Sequence, residues 1–311
     1  MILGIDVSKD KLDIFILPSQ EHLVIKNTQA DIQRFFKNKM HSSDIQLVIF
    51  EATGSYEKWL HVHLLKTNIP HHKAHPTRVY HFAQAKGRFA KTDKIDALIL
   101  AQYAQQEKIE ADEIIQENQL KIQEYSARRI QLKEMLAQET QRLKTICLDK
   151  EITRSIKRSI KQLQQELALI TKKLDDLINT DETTAKKRAI LRTAKGIGEE
   201  VSSILVTNLP ELGKVSREEI SHLVGVAPQT KDSGRKLGYR AVSHGRFHVR
   251  KALYMSALVA VRHDNRMKQI YDKLIAKGKC KKVALVAVMR KLIIMLNAMV
   301  KNLAPWQSQS I

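Results

Sequence analysis

No glycine occurs between Gly87 and Gly196, and no proline between Pro76 and Pro210. A stretch that long without either breaker has nothing that ends a helix or supplies a left-handed turn, so a few long helices are its default. Within it Leu163, Leu167, Ile170, Leu174 and Leu177 step by four, three, four and three, the seam of a coiled coil. Ile152, Ile156 and Ile160 lead into that seam, and Leu132, Leu136, Leu143 and Ile146 form a second, less regular stripe. Polar residues from Asp149 to Glu151 lie between the two stripes and predict a turn, hence an antiparallel helical hairpin. The seam suits an intramolecular helix pair or pairing between copies of the chain.

On either side of this interval the pattern changes. Ile2 to Ile5 is a short apolar run ending at Asp6, Lys9-Asp10-Lys11 is a polar turn, and Leu12, Ile14 and Ile16 alternate along a second strand. His22 to Lys26 adds a third strand, Ala30 to Lys39 has helical spacing, and Ile45 to Phe50 is an apolar strand ending at Glu51. A helix around Tyr56 to Lys66, a weak strand before Pro76 and a helix from Asp93 complete an α/β pattern. Beyond Asp181, glycines and prolines punctuate short helices. The expected organisation is an α/β domain over residues 1–112, a helical coiled-coil segment over 113–180 and a mainly α domain over 181–311.

Charge divides along the same lines. The chain of 311 residues carries 53 Lys and Arg against 33 Asp and Glu, a formal +20. Residues 1–110 contribute +3, residues 111–180 +2, and residues 181–311 +15. So uneven a distribution argues against an ordinary metabolic enzyme and for a dedicated face toward a polyanion. Aromatic residues make up 5%, too few for base stacking as the main mode of binding, while 43% hydrophobic residues exclude wholesale disorder. Cys147 and Cys280 are too few for a disulfide framework, lack metal-ligand spacing, and suit a reducing cytosol with each thiol packed as a small hydrophobe. Asp6 interrupts any leader-like apolar run, and Val283 to Val300 holds Arg290 and Lys291 at its centre, so it reads as a buried amphipathic helix with no membrane partner.

Asp6 and Glu51 each follow an apolar strand, where an α/β sheet opens its ligand crevice. Asp93 and Asp96 follow Thr92, a helix N-cap, and at i and i+3 share one helix face. Four carboxylates from three elements suit hard divalent cations, magnesium or manganese, and a two-metal site serves phosphoryl transfer. Each acid also has an ordinary structural use, Asp93 by complementing a helix dipole and Asp6 by ending a strand.

Taken in order, Gly4-Ile5-Asp6-Val7-Ser8-Lys9, Phe50-Glu51-Ala52-Thr53-Gly54-Ser55-Tyr56 and Lys91-Thr92-Asp93-Lys94-Ile95-Asp96-Ala97 resemble the signature of DEDD insertion-sequence transposases. These are bridge-RNA-guided recombinases with a RuvC-like domain, related to Piv-type DNA invertases. Lys195-Gly196-Ile197-Gly198, Gly225-Val226-Ala227-Pro228, Asp232-Ser233-Gly234 and Ser243-His244-Gly245-Arg246 resemble the second domain of that family. The resemblance implies an RNase H/RuvC-like first domain in which Asp6, Glu51, Asp93 and Asp96 bind two Mg2+ or Mn2+ ions. It implies a nucleophilic Ser233 that forms a covalent phosphoserine with DNA, so that strand exchange needs no ATP. It further implies double-stranded donor and target DNA, a structured guide RNA, and a homo-oligomer, dimer or tetramer, for which the coiled coil is the candidate contact. Two positions depart from the family pattern: Lys195 stands where proline is usual, and His75 where asparagine is.

Read for their own chemistry, Gly196-Ile197-Gly198 suits the turn of a helix-hairpin-helix, whose backbone amides approach phosphates, with Lys195 adding charge. Arg235, Lys236, Arg240, Arg246, Arg250 and Lys251 crowd around Ser233 as a phosphate clamp, with no acid between Gly234 and Arg262. Lys91, beside the third acid motif, joins these nucleic-acid contacts. His61, His63, His71, His72, His75 and His81 are half the histidines of the chain, yet no cysteine or regular pairing marks them as a zinc site. A structure-specific metal nuclease with an inert Ser233 and a non-catalytic nucleic-acid binder are the rival readings. A sugar kinase of the actin type is disfavoured because no phosphate-cradling glycine loop follows Asp6.

Overall fold

The computed structural model describes the chain except residues 39, 41–43, 52–53, 55, 88–91, 113–116, 146–148, 230–240, 243–244 and 307–311. It is a mixed α/β protein with two compact units, Met1–Glu117 and Asn118–Ile311, each with its own core.

The first unit runs β1 (Ile2–Val7), β2 (Lys11–Leu17), β3 (Glu21–Lys26), α1 (Gln29–Asn38), β4 (Leu47–Glu51), α2 (Lys58–Lys66), β5 (His71–Ala74), α3 (Pro76–Ala85) and α4 (Asp93–Gln106). The sheet order is β3-β2-β1-β4-β5. The first three strands meander antiparallel through short turns, while β4 and β5 join parallel after crossovers that carry α1 and α2. One face buries Leu3, Ile5, Ile14 and Phe50 against Ile32, Phe36, Leu60 and Leu64. The other face holds Ile2, Phe15, Leu47 and Ile49 against α4. Gly4 makes that second contact possible: a Cβ there would lie 2.2 Å from the Ala97 carbonyl oxygen and 2.5 Å from the Ala101 nitrogen. Helix α3 was not expected from the sequence. Pro76 read as a breaker, but it occupies the first helical turn, where its missing N–H costs nothing, and His75 accepts a hydrogen bond from Thr77 N–H as the N-cap.

The second unit comprises α5 (Glu117–Leu143), α6 (Lys150–Thr180), α7 (Glu182–Arg192), α8 (Glu199–Asn208), α9 (Arg217–Val224), β6 (Pro228–Gln229), β7 (Ala241–Val242), α10 (Phe247–His263), α11 (Asn265–Ala276) and α12 (Lys281–Lys301). The breaker-free interval forms the two longest helices, 27 and 31 residues. Asp149 caps α6 by accepting from Glu151 N–H, and Ile122 near the start of α5 packs on Leu174 and Ile178 near the end of α6. The pair therefore runs antiparallel. Among the described residues only that end of the seam is covered: Leu163, Leu167 and Ile170 stay half-exposed, and Ile152 is 54% exposed.

Helices α8, α9, α10 and α12 share the main core, with Leu205, Ile220, Leu253, Val288 and Leu292 buried. By length and composition α12 is apolar enough to cross a membrane, but 56% of its apolar window is buried inside this unit, which makes it a core helix. The buried helix expected over Val283 to Val300 is thus present, two residues longer at its start and one at its end. Cys280 corrects a second expectation: it is the exposed N-cap residue of α12, because the helix needs a non-helical residue there and not a packed thiol. Cys147 lies outside the described residues.

Candidate functional site

Asp6 is the fifth of six residues in β1, on the face that carries Gly4, and Glu51 ends β4. The recorded parallel pairing stops at Ile5 with Phe50, so Asp6 and Glu51 are the next residues on adjacent strands. Helix α4 crosses the same face with Ala97 and Ala101 over Gly4, which brings its first turn, with Asp93 and Asp96, toward the Asp6 end of the strand. Thr92 starts that turn as expected, its hydroxyl accepting from Ile95 N–H at 3.3 Å. Three elements thus direct four carboxylates to one end of the sheet.

The electrostatics record this gathering. Burial, then the charges of Asp96, Asp93, Asp13 and Glu51, raise the Asp6 carboxyl from 3.8 to about 6. A fifth acid therefore belongs to the neighbourhood. Asp13 sits opposite Asp6 in the β1–β2 register and is 3% exposed. It accepts from Lys11 Nζ at 3.0 Å and meets His22 Nε2 at 3.0 Å. Lys11 also reaches Asp93 at 2.7 Å, and these two hydrogen bonds hold its ammonium pKa above the usual lysine value. The sequence reading missed Asp13, Lys11 and His22. The hairpin spacing was the available signal, since a tight turn after Val7 sets residue 13 opposite residue 6.

Among the described residues no three His, Cys, Asp or Glu side chains stand close enough to hold a metal ion as they are. The donor chemistry nevertheless fits one: oxygen-only acids, the central member's pKa raised by burial and then by its neighbours' charges, with a lysine supplying local counter-charge.

The histidines have other duties. His61 and His71 pack edge-on with ring centroids 5.1 Å apart beside Phe50, and burial and then the His71 and Lys73 charges lower His61 to about 4. His63 lies 5.0 Å from the Phe36 ring, and His72 Nδ1 meets Asp112 at 2.7 Å.

Of the basic residues, Lys195 is exposed in the turn between α7 and α8, where Gly196 adopts φ +88°. A Cβ at Gly196 would stand 2.7 Å from the Ser256 carbonyl oxygen, so that turn requires glycine. Lys251 is exposed on α10, and Arg250, one residue before it, reaches the Gly225 carbonyl at 3.5 Å. Arg246 departs from the clamp expected of it. Its guanidinium forms a two-pronged pair with Glu211, at 2.5 Å to each oxygen, and donates to the Asn208 carbonyl at 3.0 Å. A fork spent on an internal carboxylate joins α10 to the segment after α8 and leaves little for phosphate. Ser233, Arg235, Lys236 and Arg240 lie outside the described residues, as does Lys91. The chain on either side of that first stretch is paired, Pro228 with Val242 and Gln229 with Ala241.

Residues 3–153 match the DEDD family model of IS110 type, described as a transposase. Residues 188–272 match the model described as Transposase IS116/IS110/IS902 family. The class of protein is thereby defined as a transposase, an enzyme that cuts and rejoins DNA. Two relatives span nearly the whole chain. The pilin gene-inverting protein of Moraxella lacunata is 25% identical over 321 residues, 99% of this chain and 98% of its own. That of Moraxella bovis is 23% identical over 320 residues, again 99% and 98%. The chain belongs to the IS116/IS110/IS902 transposase family, and its DEDD character implies dependence on a divalent metal ion.

Proposed function

We propose that this transposase works as a recombinase with two metal ions and a serine nucleophile, its first unit an RNase H/RuvC-like domain. The raised carboxyl of Asp6, surrounded by the charges of Asp96, Asp93 and Glu51, is the observation that carries the reading. Asp6, Glu51, Asp93 and Asp96 would hold two Mg2+ or Mn2+ ions, which supply Lewis-acid stabilisation of phosphate charge when bound. Ser233 Oγ attacks a backbone phosphorus, a P–O bond breaks, and the departing sugar oxygen takes up a proton matching the one the serine gives up. Attack by the sugar hydroxyl of a new strand on the phosphoserine then reseals DNA without loss of phosphodiester energy.

The partners follow from the same reading. Donor and target DNA are gripped by the basic residues of segment 181–311, Lys195, Arg235, Lys236, Arg240, Arg250 and Lys251 among them, with Lys91 from the first unit. The α7–α8 turn around Gly196 serves as a helix-hairpin-helix that meets phosphates without reading sequence. A structured guide RNA selects the sites by base pairing, while the protein contacts backbone. The half-exposed seam on α6 favours a dimer or tetramer through the coiled coil. Reactions of this kind take place in the cytosol, at the nucleoid. DNA rearrangement by inversion, the activity in the relatives' names, is one outcome of such chemistry.

Trapping decides the central point. Wild-type enzyme incubated with metal and substrate DNA and quenched in detergent should give a covalent protein–DNA adduct. Ser233→Ala should give none while retaining DNA binding. Adduct formation by Ser233→Ala, or DNA cleavage at wild-type rate without any adduct, would leave a plain metal nuclease.

A further inference from the structure

A cavity of about 310 Å³ lies within the second unit where α5, α8 and α10 meet. Arg129 lines it and is only 4% exposed, yet among the described residues its side chain makes no hydrogen bond or ion pair. Glu200 and Asp175 act on it only through space, and burial holds its pKa below the ordinary guanidinium value. The nearest acid on the rim, Glu200, is engaged by Lys133. Lys251 and His248 line the same cavity from α10, with Ile204 and Met255 as apolar wall. The guanidinium keeps only a sliver of contact with water and has no protein acceptor among those residues, a cost that an anion entering the cavity would relieve. Glu134 also lines the cavity, but with Arg129, Lys133 and Lys251 against Glu134 and Glu200 the lining stays net positive. With its apolar wall it suits a phosphodiester, the charge taken by the fork and the sugar by the wall.

We infer that the α5–α8–α10 cavity is a backbone-phosphate site for a nucleic acid, with Arg129 as its buried anchor and Lys251 at its rim. The inference rests on the functional reading above, and it adds a contact well separated in sequence from Ser233. A surface lysine attracts any phosphate that passes. A buried arginine admits only one that enters the cavity, so this contact sets register.

Binding of duplex DNA and of a structured RNA, each measured by fluorescence anisotropy over a salt series, tests the site. For Arg129→Met the affinity for at least one polymer should fall about tenfold. The slope of log affinity against log salt should fall by about one phosphate contact, while the melting temperature of the free protein holds or rises. Lys251→Ala, exposed and safe for folding, should reduce the slope similarly, and Arg129→Lys should recover part of the loss. The polymer affected identifies the source of the phosphate. Unchanged affinity and slope for both polymers in Arg129→Met overturn the inference, as does a lower melting temperature with binding intact, which marks a structural arginine. Wild-type protein that binds neither polymer overturns the functional reading itself.

Discussion

The two units handle charge in opposite ways. Around Asp6, burial and then the like charges gathered at one end of a sheet raise the central carboxyl to about 6. In the helical unit the excess is larger, +15 over residues 181–311, and among the described residues it includes exposed positions such as Lys195 and Lys251 and internal pairs such as Arg246 with Glu211. Concentrated charge stores repulsion that a cation relieves at a point, whereas dispersed charge creates a field along a surface. On the proposed function, chemistry belongs to the first arrangement and grip to the second.

Asp6→Asn should separate the two most sharply. Strand cleavage should fall about 10³-fold or more, while DNA affinity stays within about twofold of wild type. Cleavage at the wild-type rate would remove Asp6 from the reacting centre. Next in size, Gly4→Ala forces a methyl into the backbone of α4 and should destabilise the first unit by about 3 kcal/mol, read as a loss in chemical denaturation. Because the clash lies within that unit, a loss of structure confined to the helical unit would contradict the packing described.

A smaller effect concerns pH. Asp6 titrates at about 6 when folded and 3.8 when unfolded, so the folded state holds its proton more tightly. The stabilisation is complete below the unfolded value and is lost as pH rises through about 6. Metal-free Asp6→Asn should therefore be more stable than wild type at pH 7.5, by about 1–2 kcal/mol after allowance for solvent screening, with the gap closing toward pH 4. Comparing the two variants is essential, because His61, lowered from 6.5 to about 4, destabilises the fold as pH falls across part of the same range. A gap that does not change with pH would refute the raised carboxyl of Asp6, to which burial contributes most and the neighbouring carboxylates the rest. Smallest of all, Arg246→Gln should cost about 1 kcal/mol of stability yet leave the salt slope of DNA binding unchanged. A drop in that slope would restore Arg246 to the phosphate clamp.

Much of the architecture could be read from the chain. Alternation marked β2, helical spacing marked α1, and Thr92 marked the start of α4, because each signal acts among residues near in sequence. Asp6, Glu51, Asp93 and Asp96 were legible as candidates for the same reason, since strand ends and an i, i+3 pair are local facts. For Asp13 the hairpin spacing gave its place opposite Asp6 but not its burial, which depends on the cross-strand partner and on Lys11 and His22 folding over it. The pairing of Arg246 was not legible, because its carboxylate partner lies 35 residues away.

The absence of breakers between Gly87 and Gly196 by itself determined two long helices, and the order of residues determined that the positive charge gathers in 181–311. Backbone propensity and net charge are properties of residues taken in order, so they survive without a fold. Tertiary structure alone decided which part of the α6 seam is covered, which acids crowd Asp6, and that Arg129 is buried while Lys251 is exposed. Those outcomes depend on distant segments excluding water from particular side chains, and desolvation is a property of position, which the order of residues does not contain.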